Sequence, residues 1–220
     1  YSRDVVTGYA DFEGYKIYKS RDGGNTWGNP DDMIYDTDGI FAGWRPYRQY
    51  DLSAEEDSLH CVYSRGFDCP EESRRGHPIN GQDPYFPWFS LGTDTGLDAI
   101  KLDEPVVING DTMRYMFKDQ NVTDGLEYTY SVVAYDMGVE PPFKETYADI
   151  GGGQFEVVVD TNYSNPDQWA DPEGYASIEN SKGTTVLDRN FVQVYPGVTP
   201  VASLDAVSYT HLRAHETHEH

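Results

Sequence analysis

Leu126-Glu-Tyr-Thr-Tyr-Ser-Val-Val-Ala-Tyr-Asp136 decides how this chain reads. Successive side chains of an extended strand alternate between its faces, so Tyr128, Tyr130, Val132 and Ala134 share one side. Tyrosine and valine favour strands, and Asp124-Gly125 before the run is a turn pair. The same alternation appears in Gly14-Tyr-Lys-Ile-Tyr-Lys-Ser20, where Tyr15 and Ile17 share one face and Lys16 and Tyr18 the other. It appears again from Thr112 to Lys118, with Met113, Tyr115 and Phe117 on one side, and more briefly at Phe155–Val159 and Asn190–Tyr195. Gly, Asp, Asn or Pro bounds each run, as strand ends require. No window sustains an i, i+3, i+4, i+7 apolar pattern, so the expectation is an all-β chain.

Composition agrees. The 220 residues include 18 Tyr, 21 Gly and 13 Pro, and 14% are aromatic, a mix that suits strands joined by long loops. The net charge of −22 repels phosphate backbones and argues against a nucleic-acid partner. No apolar run approaches the length of a membrane span, so no membrane insertion is expected. Tyr1-Ser-Arg-Asp carries neither an initiator Met nor a leader-like segment and reads as a cut end. From about Gly28 to Pro105 the chain looks irregular, with Trp44, Trp88 and the acidic run Glu55-Glu-Asp57. A loop so long needs its own packing, and Pro84-Tyr-Phe-Pro-Trp-Phe89 is the expected anchor.

Several motifs carry local chemistry. Ser20-Arg-Asp-Gly-Gly-Asn-Thr-Trp27 fits the Asp-box pattern Ser-x-Asp-x-Gly-x-Thr-Trp, a hairpin turn of sialidase-type propellers. Ser20 and Asp22 would organise the turn, Gly24 would allow positive φ, and Trp27 would pack beneath. A propeller needs repeats of the motif, and a single copy is present. Asp36 and Asp38, and Asp94 and Asp98, lie on tight acidic turns that could offer hard oxygen ligands to Ca²⁺, although Asx-turns share that composition. Cys61 and Cys69 read as a small disulfide of an oxidising compartment, with two free thiols as the alternative. Trp44 and Trp88, with Tyr47, Tyr50 and Tyr85, are candidates for a face that stacks on a glycan, set against a purely structural role in packing the insertion. No catalytic constellation stands out: no spacing singles out a carboxylate pair, and His60 and Cys61, being adjacent, would point to opposite faces of a strand.

Val122, Tyr128, Val132, Ala134 and Asp136 take the places of a fibronectin type III pattern, so Asn121–Asp136 resembles the E–F corner and strand F of that fold. Asp11–Ser20 is similar to its strand C. More narrowly, with Leu91-Gly-Thr-Asp-Thr-Gly-Leu97, the chain resembles fibronectin type III-like modules of large secreted or cell-surface proteins of uncultured environmental bacteria. The resemblance implies an immunoglobulin-like β-sandwich over residues 1–160, partial at its N-terminus, with a long irregular insertion at 28–105. Residues 161–206 then read as a linker and the start of a following segment. In such a sandwich Tyr128 buries its ring while its hydroxyl meets the corner backbone, and Ala134 leaves room where two sheets approach. Two departures stand out: strands A and B would precede residue 11 and are mostly missing, and the insertion exceeds a standard module.

Val207-Ser-Tyr-Thr-His-Leu-Arg-Ala-His-Glu-Thr217 resembles the translation of a transposase adapter used in sequencing libraries, so 207–220 is set aside as non-native. Four of the six histidines fall there. The expected role is non-enzymatic and extracellular: a spacer, adhesion or presentation module without a cofactor, unless calcium occupies an acidic turn. Its partners would be neighbouring domains of its own chain, a glycan or a cell-surface protein. The alternative is a glycan-binding accessory module of a secreted carbohydrate-active enzyme.

Overall fold

The computed structural model describes residues 11–57, 81–108, 110–138, 144–160 and 176–197. Among them lie β1 (Phe12–Ser20), β2 (Met33–Tyr35), β3 (Phe41–Trp44), β4 (Arg48–Asp51), β5 (Lys101–Ile108), β6 (Asp111–Tyr115), β7 (Tyr128–Asp136), β8 (Lys144–Gly151), β9 (Gln154–Asp160) and β10 (Phe191–Val194). Among the described residues helix is confined to single turns, including α1 (Ala54–Asp57) and a 3₁₀ turn at Asp98–Ile100. The chain is all-β. Four strands form one antiparallel sheet in the order β10-β7-β1-β4, and the rest pair as the ribbons β2–β3, β5–β6 and β8–β9.

β1 and β7 are the two longest strands of the main sheet and lie at its centre. They pair antiparallel from Phe12↔Asp136 to Ser20↔Thr129, with a bulge between Phe12 and Gly14. Ile17 pairs with Val132 and Lys19 with Tyr130 on one face, while Tyr18 pairs with Ser131 and Lys16 with Val133 on the other. Both faces are covered, and every residue of β7 except Val132 and Asp136 is buried. Ile17, Tyr128 and Tyr130 pack on one side with Phe117, Val122 and Tyr50, continuing into Leu52, Leu97 and Ile100. On the other side Tyr18 and Val133 meet Trp27 and Phe191, with Trp44 against them. Trp27 stands edge-on to Tyr18 at 6.2 Å and to Phe191 at 6.1 Å between ring centroids.

Three features depart from the sequence reading. β4 lies inside the 28–105 stretch expected to be irregular, yet it pairs with β1 from Gly14↔Asp51 to Ile17↔Arg48. Its sequence, Arg-Gln-Tyr-Asp, has one apolar residue and so no alternation to read. β6 ends at Tyr115, and both it and β9 pair in ribbons apart from the main sheet. Phe117 instead leaves the strand to pack against Tyr50 at 6.1 Å and Tyr47 at 6.3 Å. Finally, the outer edge of β7 is filled by two pieces of the 161–206 segment. β10 pairs with its first half, and Asp136 and Asn180 amides bond to Ile178 and Ala134 carbonyls along its second half, each at 3.0 Å.

Buried carboxylates order the long loops. Asp51 accepts the amides of Asp94 at 2.5 Å and Thr95 at 3.2 Å, and also bonds the Thr95 hydroxyl. Gly92 passes so close, at φ +138°, that a Cβ there would collide with the Asp51 carboxylate. Asp83 accepts the amides of Tyr85, Phe86 and Ser177, each at 2.7 Å, and so fixes the Pro84–Phe89 turn. The Phe89 ring lies over Gly43, 3.2 Å from where a Cβ would stand, which docks this turn on the β2–β3 ribbon.

Candidate functional site: two buried lysine clusters

The alternation of β1 sends Lys16 and Lys19 to opposite faces of the main sheet, and both are buried, at 6% and 9% exposure. Lysine is almost never buried without a partner. The Lys19 ammonium donates to Asp119 Oδ2 at 2.8 Å and to the Asn121 carbonyl at 2.6 Å. It lies over the rings of Tyr128 at 4.5 Å, Tyr47 at 4.8 Å and Tyr130 at 5.7 Å, where the negative ring faces attract a cation. Asp119 also accepts the Tyr130 hydroxyl at 2.7 Å, the Tyr47 hydroxyl at 2.9 Å and the Asn121 amide at 2.8 Å. Burial alone would raise the Asp119 carboxyl, but these donors, Lys19 first, outweigh it and hold the group at about 2. The Tyr130 and Tyr47 phenols are pushed up, first by burial and then by their bonds to Asp119.

The second cluster sits on the opposite face. The Lys16 ammonium donates to Glu179 Oε2 at 3.2 Å and lies 4.3 Å from the Tyr135 ring centroid. The Tyr18 hydroxyl donates to the same carboxylate at 2.9 Å, and Lys182 adds a further bond while lying 4.1 Å over the Tyr18 ring. Burial would raise Glu179; the charges of Lys16 and Lys182 outweigh it and draw the carboxyl down. Tyr18 is driven up by burial and by Glu179. Each cluster ties β1 to a distant stretch of chain, 100 residues away at Asp119 and 163 away at Glu179. Both carboxylates are ionised at neutral pH, and the phenols bound to them are too weakly acidic to give up a proton there.

The sequence candidates fall around these clusters. Ser20 Oγ accepts the Asp22 amide at 3.2 Å and the Gly24 amide at 2.9 Å, and donates to Asp22 Oδ1 at 2.7 Å. Asp22 accepts the Thr26 amide at 2.9 Å and hydroxyl at 2.8 Å, and the amide bond chiefly draws its carboxyl down. Gly24 has φ +92°, and a Cβ there would stand 2.9 Å from the Phe191 ring beneath it. Tyr128 is 1% exposed, and its phenol oxygen accepts the Thr123 amide at 3.0 Å. Ala134 pairs with Tyr15 and Val132 with Ile17 on the Lys19 face.

Asp36 accepts the amides of Asp38 at 2.9 Å and Ile40 at 2.8 Å, as an Asx-turn does. Asp94 adopts φ +56°, and Asp98 bonds Lys101 at 3.3 Å. Among the described residues no three acidic, histidine or cysteine side chains gather as a metal site would require. Trp44 pairs with Met33 and reaches the Tyr18–Trp27 core, whereas Gly43 presents the opposite side to Phe89. Trp88 packs against Phe86 at 5.5 Å and Phe89 at 6.3 Å. Cys61, Cys69, His60 and the 207–220 tail lie outside the described residues.

The sequence reading missed Lys16, Lys19, Asp119, Tyr135 and Glu179 as site residues. A signal for the lysines existed, since both stand inside an aromatic strand expected to be covered. Nothing local marks Asp119 or Glu179, whose partners lie far along the chain. No protein family, curated protein or solved structure matches this chain.

Proposed function

We propose that this chain is a non-catalytic extracellular module, a spacer, adhesion or presentation unit of a larger secreted or cell-surface bacterial protein, with a fibronectin type III-like sandwich as its frame. The observation that carries the reading is the engagement of its perturbed groups. Asp119, Glu179, Tyr18, Tyr47 and Tyr130 are each held by internal partners in charge-assisted bonds that join sheet to loop. Groups so engaged stabilise a framework rather than meet a substrate. The buried Tyr128, whose hydroxyl meets backbone five residues upstream, supports the fibronectin-like corner.

A test uses the full chain against panels of glycoside, ester and peptide substrates, together with antibody labelling of source cells. The reading predicts no turnover and labelling without permeabilisation. Turnover, or labelling only after permeabilisation, would overturn it. The second reading, a glycan-binding accessory module, draws on Tyr35, Phe41, Tyr85 and Phe86, which are 43–48% exposed. Binding to an arrayed glycan that is abolished by Phe86→Ala or Phe41→Ala would favour it.

A further inference from the structure

We infer that the β2–β3 hairpin is the face on which this module docks a basic polypeptide segment; the inference names a partner for the non-catalytic adhesion reading and rests on it. The stretch Asn29–Trp44 holds Asp31, Asp32, Asp36 and Asp38 and no lysine or arginine. Asp31 and Asp38 are exposed. On the same hairpin Tyr35, Phe41 and Ile40 are exposed at 48, 45 and 64%. Tyr35 pairs with Phe41 across the ribbon, and their rings meet edge to face at 6.3 Å. Phe41 continues to Trp44 at 5.5 Å, and Trp44 packs against the Tyr18–Trp27 core. The result is an aromatic ledge that begins at the core and ends in solvent, rimmed by carboxylates. An exposed apolar patch with a polar rim marks an interaction surface.

The ledge is ordered before any partner arrives. The Asp36 amide donates to the Ile40 carbonyl at 2.9 Å, and the Gly39 amide donates to the Asp36 carbonyl at 3.1 Å. Met33↔Trp44 and Ile34↔Gly43 pair behind this turn, and Phe89 covers Gly43. Side chains presented on an ordered hairpin lose less freedom on binding. Ring faces and carboxylates are both negative, so the complementary ligand is a cation laid on the rings. Lysine and arginine suit both parts of the ledge, since their stems cover apolar surface while their heads meet carboxylates. A single cation does not reach the whole face. Asp32 and Asp36 flank β2 at its two ends, about 13 Å apart at the rise of a strand. An extended segment with basic side chains at i and i+4, which share one face, spans that distance.

The test is fluorescence anisotropy of the full chain with a labelled peptide of Thr and Val carrying Arg at every fourth position. Because any acidic chain attracts such a peptide, the variants separate the hairpin from the general charge. Phe41→Ala is expected to weaken binding at least about fivefold, through loss of the ring beneath the cation. The pair Asp31→Asn, Asp38→Asn is expected to weaken it by a similar factor. The pair Asp103→Asn, Glu104→Gln removes the same charge from the exposed β5 and is expected to leave binding within about twofold. Should Phe41→Ala disturb the fold, Tyr35→Ala removes the neighbouring ring. No binding, equal loss in the two charge pairs, or binding indifferent to both rings would overturn the inference and leave the non-catalytic reading standing. Loss of an arrayed glycan in Phe41→Ala, with the peptide unbound, would overturn it in favour of the glycan reading. Turnover in the substrate panel would remove the non-catalytic reading, whatever the peptide does.

Discussion

Lys19 is the residue on which one face of the sheet turns. Its ammonium is buried, and the Asp119 carboxylate is the charge that compensates it. Removing one partner strands the other charge, a loss of roughly 3 kcal/mol, whereas replacing both with apolar groups of similar volume is far milder. Asp119→Ala is therefore expected to destabilise strongly, and Lys19→Met with Asp119→Leu to recover much of the loss, as read from urea unfolding in a double-mutant cycle. At Tyr128 the relevant atom is the phenol oxygen that accepts the Thr123 amide. Tyr128→Phe keeps the ring and leaves that amide without its acceptor, so the urea midpoint should fall while the slope of the transition stays unchanged. A bond between the Tyr128 hydroxyl and nearby backbone was legible in sequence, because a resemblance implied it. The Lys19–Asp119 pair was not, because alternation tells which face a residue takes and nothing about what covers that face.

At the scale of elements, the Asp-box turn and the C-terminal segment act on one another. Trp27 is held by the turn and packs on Phe191 of β10, so each needs the other. Trp27→Ala empties a large buried site and should cost about 3 kcal/mol in chemical denaturation. Exchange protection should differ sharply between elements. β1 and β7 are covered on both faces and paired along their length, whereas β5 is exposed over most of its length in a two-stranded ribbon. An isolated ribbon is marginally stable in water. In hydrogen exchange, β1 and β7 amides are expected to be the slowest and β5 amides among the fastest; the reverse order would displace the sheet as the core. Long aromatic strands such as β1 and β7 announce themselves by period. Four-residue strands such as β4 do not, since their existence depends on a neighbour's edge rather than on their own pattern.

For the whole molecule, the acidic surface and the carboxylate clusters pull stability in opposite directions as pH falls. With a net charge of −22, protonation relieves self-repulsion and favours the compact state. Asp119 and Glu179 act the other way, since both carboxyls lie below their ordinary values in the folded chain. A group depressed on folding contributes stability that is complete above its unfolded pKa, about 4 for a carboxyl, and that is lost as pH falls through its folded value. For Asp119 that folded value is about 2, which places the loss below pH 4. The measurement that tests the central claim most directly is the free energy of unfolding of the full chain from pH 7 down to pH 2. If buried lysine–carboxylate clusters hold the loops to the sheet, stability falls steeply below about pH 4, and the Lys19→Met, Asp119→Leu variant loses part of that slope. Stability that stays level or rises with acid, or a slope identical in the variant, would contradict the account.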